Sequence, residues 1–293
     1  MAHILKNDQV EILIDFPSEN YNLSRFDWTG KIKAVDFKGK KVAGVEIENA
    51  PENSLCGKGY CNEFGMDTAL GYDDAEIGEW FHKIGIGLLK KDDEQYNFQK
   101  AYEVNPADFE VTIEADRMIV RCQSQQYNGY CYVLEKEIRL KDNGFELHYC
   151  LENTGDKAIV TDEYNHNFLS IDQALMCKDY VLRFPFQVKP DHFGSIVNPG
   201  EYVEVSQHEF TFNGTPNEQF FFSNLSGGDE VNAQWSLENI KSEIRISETG
   251  DFQTSKINLW GWKHVISPEL FFAINIQPGE HAKWSRKYEI YSL

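Results

Sequence analysis

Basic side chains are scarce in this 293-residue chain: 28 Lys and Arg stand against 47 Asp and Glu, a formal charge of -19. Such a surface repels nucleic-acid phosphates and anionic membrane faces at long range, which argues against both as partners. It also weighs against a heavily phosphorylated substrate, although a local pair such as Lys83 with Arg121 could still build a small anion site. No apolar run approaches the length needed to span a bilayer, and the start, Met1-Ala2-His3-Ile4-Leu5-Lys6-Asn7-Asp8, turns polar within a few residues. Neither a membrane anchor nor a signal peptide is visible, so the expected location is cytoplasmic. The 6 cysteines are spread too thinly for a disulfide framework and are expected to be reduced thiols. Cys56 and Cys61 have no second Cys or His pair at zinc spacing, and no oxygen-ligand loop is recognisable, so no metal is expected. Helical periodicity, internal repeats and proline-rich linkers are all missing. The stretch Gly57-Lys58-Gly59-Tyr60-Cys61-Asn62 lacks the third glycine and the following helix of a dinucleotide loop, which removes a nucleotide cofactor.

What remains is a well-stocked globular composition, 41% hydrophobic and 14% aromatic, with period-2 alternation as its dominant pattern. Phe145, Leu147, Tyr149 and Leu151 fall on one face of an extended chain, Glu146, His148, Cys150 and Glu152 on the other. Similar stretches recur at residues 10–14, 32–37, 41–47, 110–113, 118–123, 130–140, 243–247, 270–276 and 284–291. Turn chemistry punctuates them, as in Asp142-Asn143-Gly144, Asn153-Thr154-Gly155 and Pro278-Gly279. Strand signals run from end to end without a composition break, which predicts an all-β fold: one large antiparallel β-sandwich domain spanning residues 1–293. Residues 51–87 break the pattern and read as a long glycine-bearing loop, the kind of segment that often carries function.

Chemistry concentrates at Glu163-Tyr164-Asn165-His166-Asn167-Phe168. An imidazole between two carboxamides, just ahead of an apolar run, stands where core packing would place aliphatic side chains. On a strand, Asp162, Tyr164 and His166 share one side while Asn165 and Asn167 occupy the other. A phenol, a carboxylate and an imidazole can thus converge on one small polar ligand. A histidine satisfied by a carbonyl inside a sandwich has the same local sequence.

The ordered set Ser24-Arg25-Phe26-Asp27-Trp28-Thr29-Gly30, Glu63-Phe64-Gly65, Gly71-Tyr72-Asp73-Asp74-Ala75, Gly78-Glu79-Trp80-Phe81-His82-Lys83-Ile84-Gly85-Ile86-Gly87, Asn153-Thr154-Gly155, Tyr164-Asn165-His166-Asn167-Phe168, Ser267-Pro268-Glu269 and Pro278-Gly279-Glu280 covers nearly the whole chain and resembles the galactose mutarotase-like superfamily, which contains the aldose 1-epimerases. The resemblance implies a large antiparallel supersandwich. It also implies a strand histidine acting as general acid and a later glutamate acting as general base, positions matched here by His166 and Glu269. The implied reaction is sugar 1-epimerisation without a cofactor. A base takes the proton of the anomeric hydroxyl, an acid protonates the ring oxygen, and the opened ring recloses on the other carbonyl face.

The expected substrate-binding set is Glu63, Asp73 and Lys83 from the long segment, Tyr164, Asn165 and Asn167 beside the histidine, and Trp262 with His264 as an aromatic platform alongside Trp260. The partner expected is a small carbohydrate. The chain departs from characterised mutarotases in lacking their asparagine-arginine pair and second histidine; Lys83 could stand for the arginine, and His82 is a further candidate acid. Two other functions fit the same residues: a carbohydrate-binding protein of this fold without turnover, and a glycoside-cleaving enzyme in which Glu269 pairs with Glu63 or Asp162.

Overall fold

The computed structural model describes residues 2–51 and 54–293. Among them there is no α-helix; strands and turns make up the molecule, with two 3₁₀ turns at Pro190–His192 and Pro199–Glu201. Two ten-stranded sheets and a small three-stranded sheet carry the chain, and every strand pairing is antiparallel. The all-β antiparallel architecture expected from the alternation is the one observed, and it agrees with the supersandwich that the resemblance implies.

The alternating pattern explains the layering. In Gly144–Asn153, Phe145, Leu147, Tyr149 and Leu151 are buried while Glu146, His148 and Glu152 are not. Each fully buried aliphatic or aromatic side chain is worth about 1.5–3 kcal/mol, so a one-residue slip in register would forfeit a whole row of them. The Asp142-Asn143 turn fixes that register by setting Lys141 opposite Gly144. A side chain at Gly144 would meet the Tyr288 carbonyl oxygen of the next strand at 1.9 Å, so glycine is required there by close approach.

The central strand of the first sheet is Ile159–Asn167. It lies between Tyr60–Phe64, with His166 opposite Cys61, and Val265–Ile276, with Tyr164 opposite Phe271. Two parts of the sequence reading are corrected here. The segment from 51 to 87, expected as one long loop, contributes the neighbouring strand Tyr60–Phe64 and the Trp80–Lys83 strand of the small sheet; its residues 52 and 53 lie outside the described residues. The glycines that signalled a loop sit between these elements, where they mask the strand pattern. The strand expected at residues 41–47 shrinks to Lys40–Lys41, after which the chain leaves the sheet and brings Glu46 to Arg25.

The space between the sheets is not wholly apolar. Glu163, Glu248 and Arg286 are each completely buried, with Arg286 Nη2 2.7 Å from Glu163 and Nη1 2.6 Å from Glu248. Glu163 also accepts from Trp284 Nε1 at 3.0 Å, and Glu248 from Trp235 Nε1 at 2.9 Å. Hydrogen bonds from indoles and amides satisfy lone pairs that the single guanidinium cannot reach, which is the condition for burying charge at tolerable cost.

Candidate active site

Strand alternation places the candidate residues. Along Ile159–Asn167, Tyr164 and His166 face a cleft of about 550 Å³, while Glu163, Asn165 and Asn167 face the sheet interior. Two residues beyond the Tyr164–Phe271 pair on each strand come His166 and Glu269, so both side chains project to the same face. His166 Nε2 lies 3.4 Å from Glu269 Oε1, and both side chains are 5% exposed. Arg25, Trp260 and Phe221 complete the walls around them.

The surroundings hold His166 rigidly. Its ring stacks on Phe168 at 4.3 Å and meets Trp260 and Phe26 edge-on at 5.3 and 6.2 Å. Its Nδ1 is buried without a hydrogen-bond partner in the protein. Burial first, and the nearby Arg25 guanidinium second, hold its pKa well below the ordinary imidazole value. Burial also pushes Glu269 up to about 8, against the opposing pull of a hydrogen bond from Asn258 and the charge of Arg25. Both shifts favour the uncharged forms, a protonated carboxyl beside a neutral imidazole. A sugar-sized cleft with a protonated carboxyl and a neutral imidazole in contact can pass a proton in either direction.

Tyr164 lines the cleft and donates its hydroxyl hydrogen to Glu63 Oε2 at 2.9 Å; its ring stacks on Phe271 at 4.6 Å. Arg25 stands at the wall, its Nη1 on both oxygens of Glu46 at 2.9 and 3.0 Å and its Nε 3.5 Å from Glu63. An ionised guanidinium held this way presents a fixed positive edge to ligand oxygens.

The other expected ligand residues lie elsewhere. Glu63 is fully buried behind Tyr164, and Lys83 lies behind Glu63, bonded to it at 3.1 Å and to the Tyr96 hydroxyl at 2.8 Å. Neither lines the cleft; the cation that does is Arg25. Asp73 is exposed on a turn away from the cleft. Asn165 and Asn167 point to the opposite side of their strand, where Asn165 donates to Tyr288 at 2.5 Å and Asn167 to Glu248 at 3.0 Å. The indole of the cleft is Trp260; Trp262, two residues on, donates to the Asn217 carbonyl, and His264 binds the Val45 carbonyl at 3.0 Å. His82 is buried against the Tyr127 carbonyl, with burial bringing its pKa down to about 4. Lys83 and Arg121 do not form an anion site, since Arg121 is on an outer strand beside Gln123 and Glu110. Asp162 is tied to Lys256 at 2.8 Å, so with Glu63 also engaged, neither opens onto the cleft as a second carboxylate for Glu269.

Arg25, Trp260, Phe221 and Glu46 are among the cleft residues to which the sequence assigned no ligand role of their own or only an alternative one. The available signal was Arg25 itself, a charged residue set between Ser24 and Phe26 in one of the stretches that carries the resemblance. All six cysteines are free, and no cluster of three or more His, Cys, Asp or Glu among the described residues could hold a metal ion. No helix among the described residues is long and apolar enough to cross a membrane.

Solved structures with the same strand arrangement extend over the whole molecule. An Escherichia coli K12 protein provisionally named an aldose 1-epimerase superposes with a TM-score of 0.63 at 7% identity, covering 100% of this chain and 99% of the other. A galactose mutarotase related enzyme from Lactobacillus acidophilus gives 0.60 at 11% identity over 100% and 98%. A galactose mutarotase-like protein from Lactobacillus casei gives 0.60 at 12% identity over 99% and 100%. This chain has the galactose mutarotase-like fold. No family model and no curated protein sequence matches it, so sequence divergence within this fold is large. At such identities the mutarotase-like architecture is shared, and function has to be argued from the cleft.

Proposed function

We propose that this protein is a sugar 1-epimerase, interconverting the anomers of an aldose or aldose derivative by acid–base ring opening and reclosure. The single observation that carries the assignment is the contact of His166 with Glu269 at 3.4 Å on the wall of a sugar-sized cleft. Both reacting oxygens of a pyranose are bonded to its anomeric carbon, so two proton-transfer groups in contact can serve both from one side.

With the proton on Glu269 at the start, the carboxyl protonates the ring oxygen while His166 takes the proton of the anomeric hydroxyl. Ring opening then leaves an imidazolium and a carboxylate, a favourable pair at this distance. Rotation of the aldehyde and the reverse transfers close the ring with the other configuration and restore the first state. These roles are the reverse of those the resemblance implies, in which His166 protonates the ring oxygen and Glu269 takes the anomeric proton; the lowered imidazole and raised carboxyl pKa support the reversal. Trp260 offers an indole for the apolar face of the sugar, and Arg25 offers charged donors to its hydroxyls.

The test follows anomer interconversion of a panel of aldoses by saturation-transfer NMR with wild type, His166→Ala and Glu269→Gln. Wild type should accelerate exchange over buffer, and each variant should lose about 10²- to 10⁴-fold, the usual contribution of a positioned acid or base. No acceleration by wild type on any sugar would sink the proposal. Calorimetric sugar binding without turnover would then assign the cleft to a carbohydrate-binding protein.

A further inference from the structure

A second cleft, of about 430 Å³, adjoins the first. Phe26 separates them: its ring lines the second cleft and meets His166 edge-on at 6.2 Å. Among the described residues, the lining of the second cleft holds Lys31, Lys33 and Lys58 and one carboxylate, Asp15. That is a local excess of positive charge in a chain whose formal charge is -19.

The carboxylate is already engaged. Asp15 Oδ1 is 3.0 Å from Lys33 Nζ and accepts from Asn20 Nδ2 at 2.9 Å. Lys31 is 6% exposed, and its Nζ is buried with no hydrogen-bond partner in the protein. Leaving an ammonium desolvated and without a hydrogen-bond partner is costly, and that desolvation brings its pKa down to about 8 despite the nearby Asp15 and Asp27. Tyr21 adds a donor. Its hydroxyl oxygen accepts the backbone N–H groups of Arg25 and Phe26 at 3.3 and 3.2 Å, which leaves its own hydrogen for another acceptor. The cleft therefore gathers donors that lack acceptors.

From this placement we infer that the second cleft binds a small oxyanion, the phosphate or carboxylate group of a soluble metabolite, with Lys31 on its floor, Lys58 at its rim and the Tyr21 hydroxyl as a further donor. A volume of about 430 Å³ is larger than a free oxyanion needs, so the group belongs to a small molecule rather than filling the cleft alone. The site is separate from the His166–Glu269 pair and stands whether or not that pair is catalytic.

Calorimetry and backbone-amide NMR titrations with inorganic phosphate and with malonate test it directly, using wild type, Lys31→Met, Lys58→Ala and, as control, Lys189→Ala beside Asp229 on a remote surface. Saturable binding is expected in wild type and control, about tenfold weaker or worse in Lys31→Met and several-fold weaker in Lys58→Ala. Stronger binding of phosphate would identify a phosphoryl ligand, and of malonate a carboxylate ligand. Because Lys58 is exposed, its variant carries the test even if Lys31→Met folds poorly. Absence of saturable binding of both anions by wild type overturns the site, as does binding unchanged in Lys58→Ala and in a folded Lys31→Met.

Discussion

The Tyr164 hydroxyl donates to Glu63 Oε2 at 2.9 Å, and the other oxygen of that carboxylate takes the Lys83 ammonium at 3.1 Å. A cleft-facing phenol is thus fastened to a charge pair that no solvent reaches. Removing the carboxylate strands Lys83 with only the Tyr96 hydroxyl, whereas removing the phenolic oxygen leaves the pair intact. Glu63→Ala should therefore lose about 3–5 kcal/mol of stability, the usual result of breaking a buried ion pair from one side. Tyr164→Phe should lose about 1.5–3 kcal/mol, the worth of a hydrogen bond to a charged group. Urea denaturation at pH 7 measures both, and equal losses would mean that Glu63 does not hold the pair together.

Glu269 makes stability depend on pH in a predictable direction. Its pKa rises from 4.5 in the unfolded chain to about 8 in the fold, so between those values the folded state binds more protons and stability falls as pH rises. His166 works oppositely, its lowered pKa making stability rise with pH up to its ordinary value of 6.5. The two offset each other between about pH 4.5 and 6.5, leaving a net decline from about 6.5 to 8. Glu269→Gln should flatten that decline and be the more stable protein at pH 8.5. Thermal denaturation across this range checks it, and parallel curves for the two proteins would place the carboxyl pKa near its usual value.

Much of this architecture was legible because alternation is local. The residues around Phe145 and around Tyr164 announce their faces within five or six positions, and the same rule put His166 and Tyr164 on one side and Asn165 and Asn167 on the other. Asn165 and Asn167 were nevertheless expected to bind substrate, because a carboxamide suits a sugar hydroxyl as well as it suits a buried tyrosine. What decides between them is what packs on the far side of the strand, Tyr288 and Glu248, more than eighty residues away in sequence. The same holds for Glu63 and Lys83: each has the chemistry of a ligand residue, and each is consumed by the other. Trp260 and Trp262 share a strand face, and only the tertiary position of the cleft distinguishes them.

Arg286 is the clearest case of long-range dictation. In His281–Ser292 it falls on the row of Ala282, Trp284, Tyr288 and Ile290, a position where a charge looks like an error. Its partners arrive from 38 and 123 residues away. Arg286→Met should leave Glu163 and Glu248 buried without a counter-charge and lose about 3–5 kcal/mol at pH 7. The Glu248 carboxyl, already raised by burial, would rise further without the guanidinium, so stability present below its unfolded value is lost as pH rises. The deficit against wild type should therefore shrink on acidification from pH 7 to 5. Denaturant titrations at the two pH values read this, and a deficit independent of pH would assign the loss to packing alone.

Gly57 connects the backbone to the imidazole. A Cβ there would stand 2.1 Å from Phe168 Cε2 and 2.7 Å from its Cζ, with Phe26 Cε2 at 2.9 Å. Both rings are completely buried, so neither can yield as an exposed side chain would. Phe168 is also the ring on which His166 stacks, at 4.3 Å and an interplanar angle of 18°. Gly57→Ala should accordingly cost about 1–3 kcal/mol by overpacking and shift His166 away from Glu269. The control is Gly194→Ala, whose new methyl would meet only a serine hydroxyl at 3.0 Å and a distant asparagine carbon. Imidazole resonances in a histidine-labelled sample should move in Gly57→Ala and stay in the control, with the proposed epimerase turnover falling in the first alone. If the His166 signals and the denaturation midpoint were both untouched by the alanine, the Phe168 ring would not be the rigid backing that fixes the imidazole.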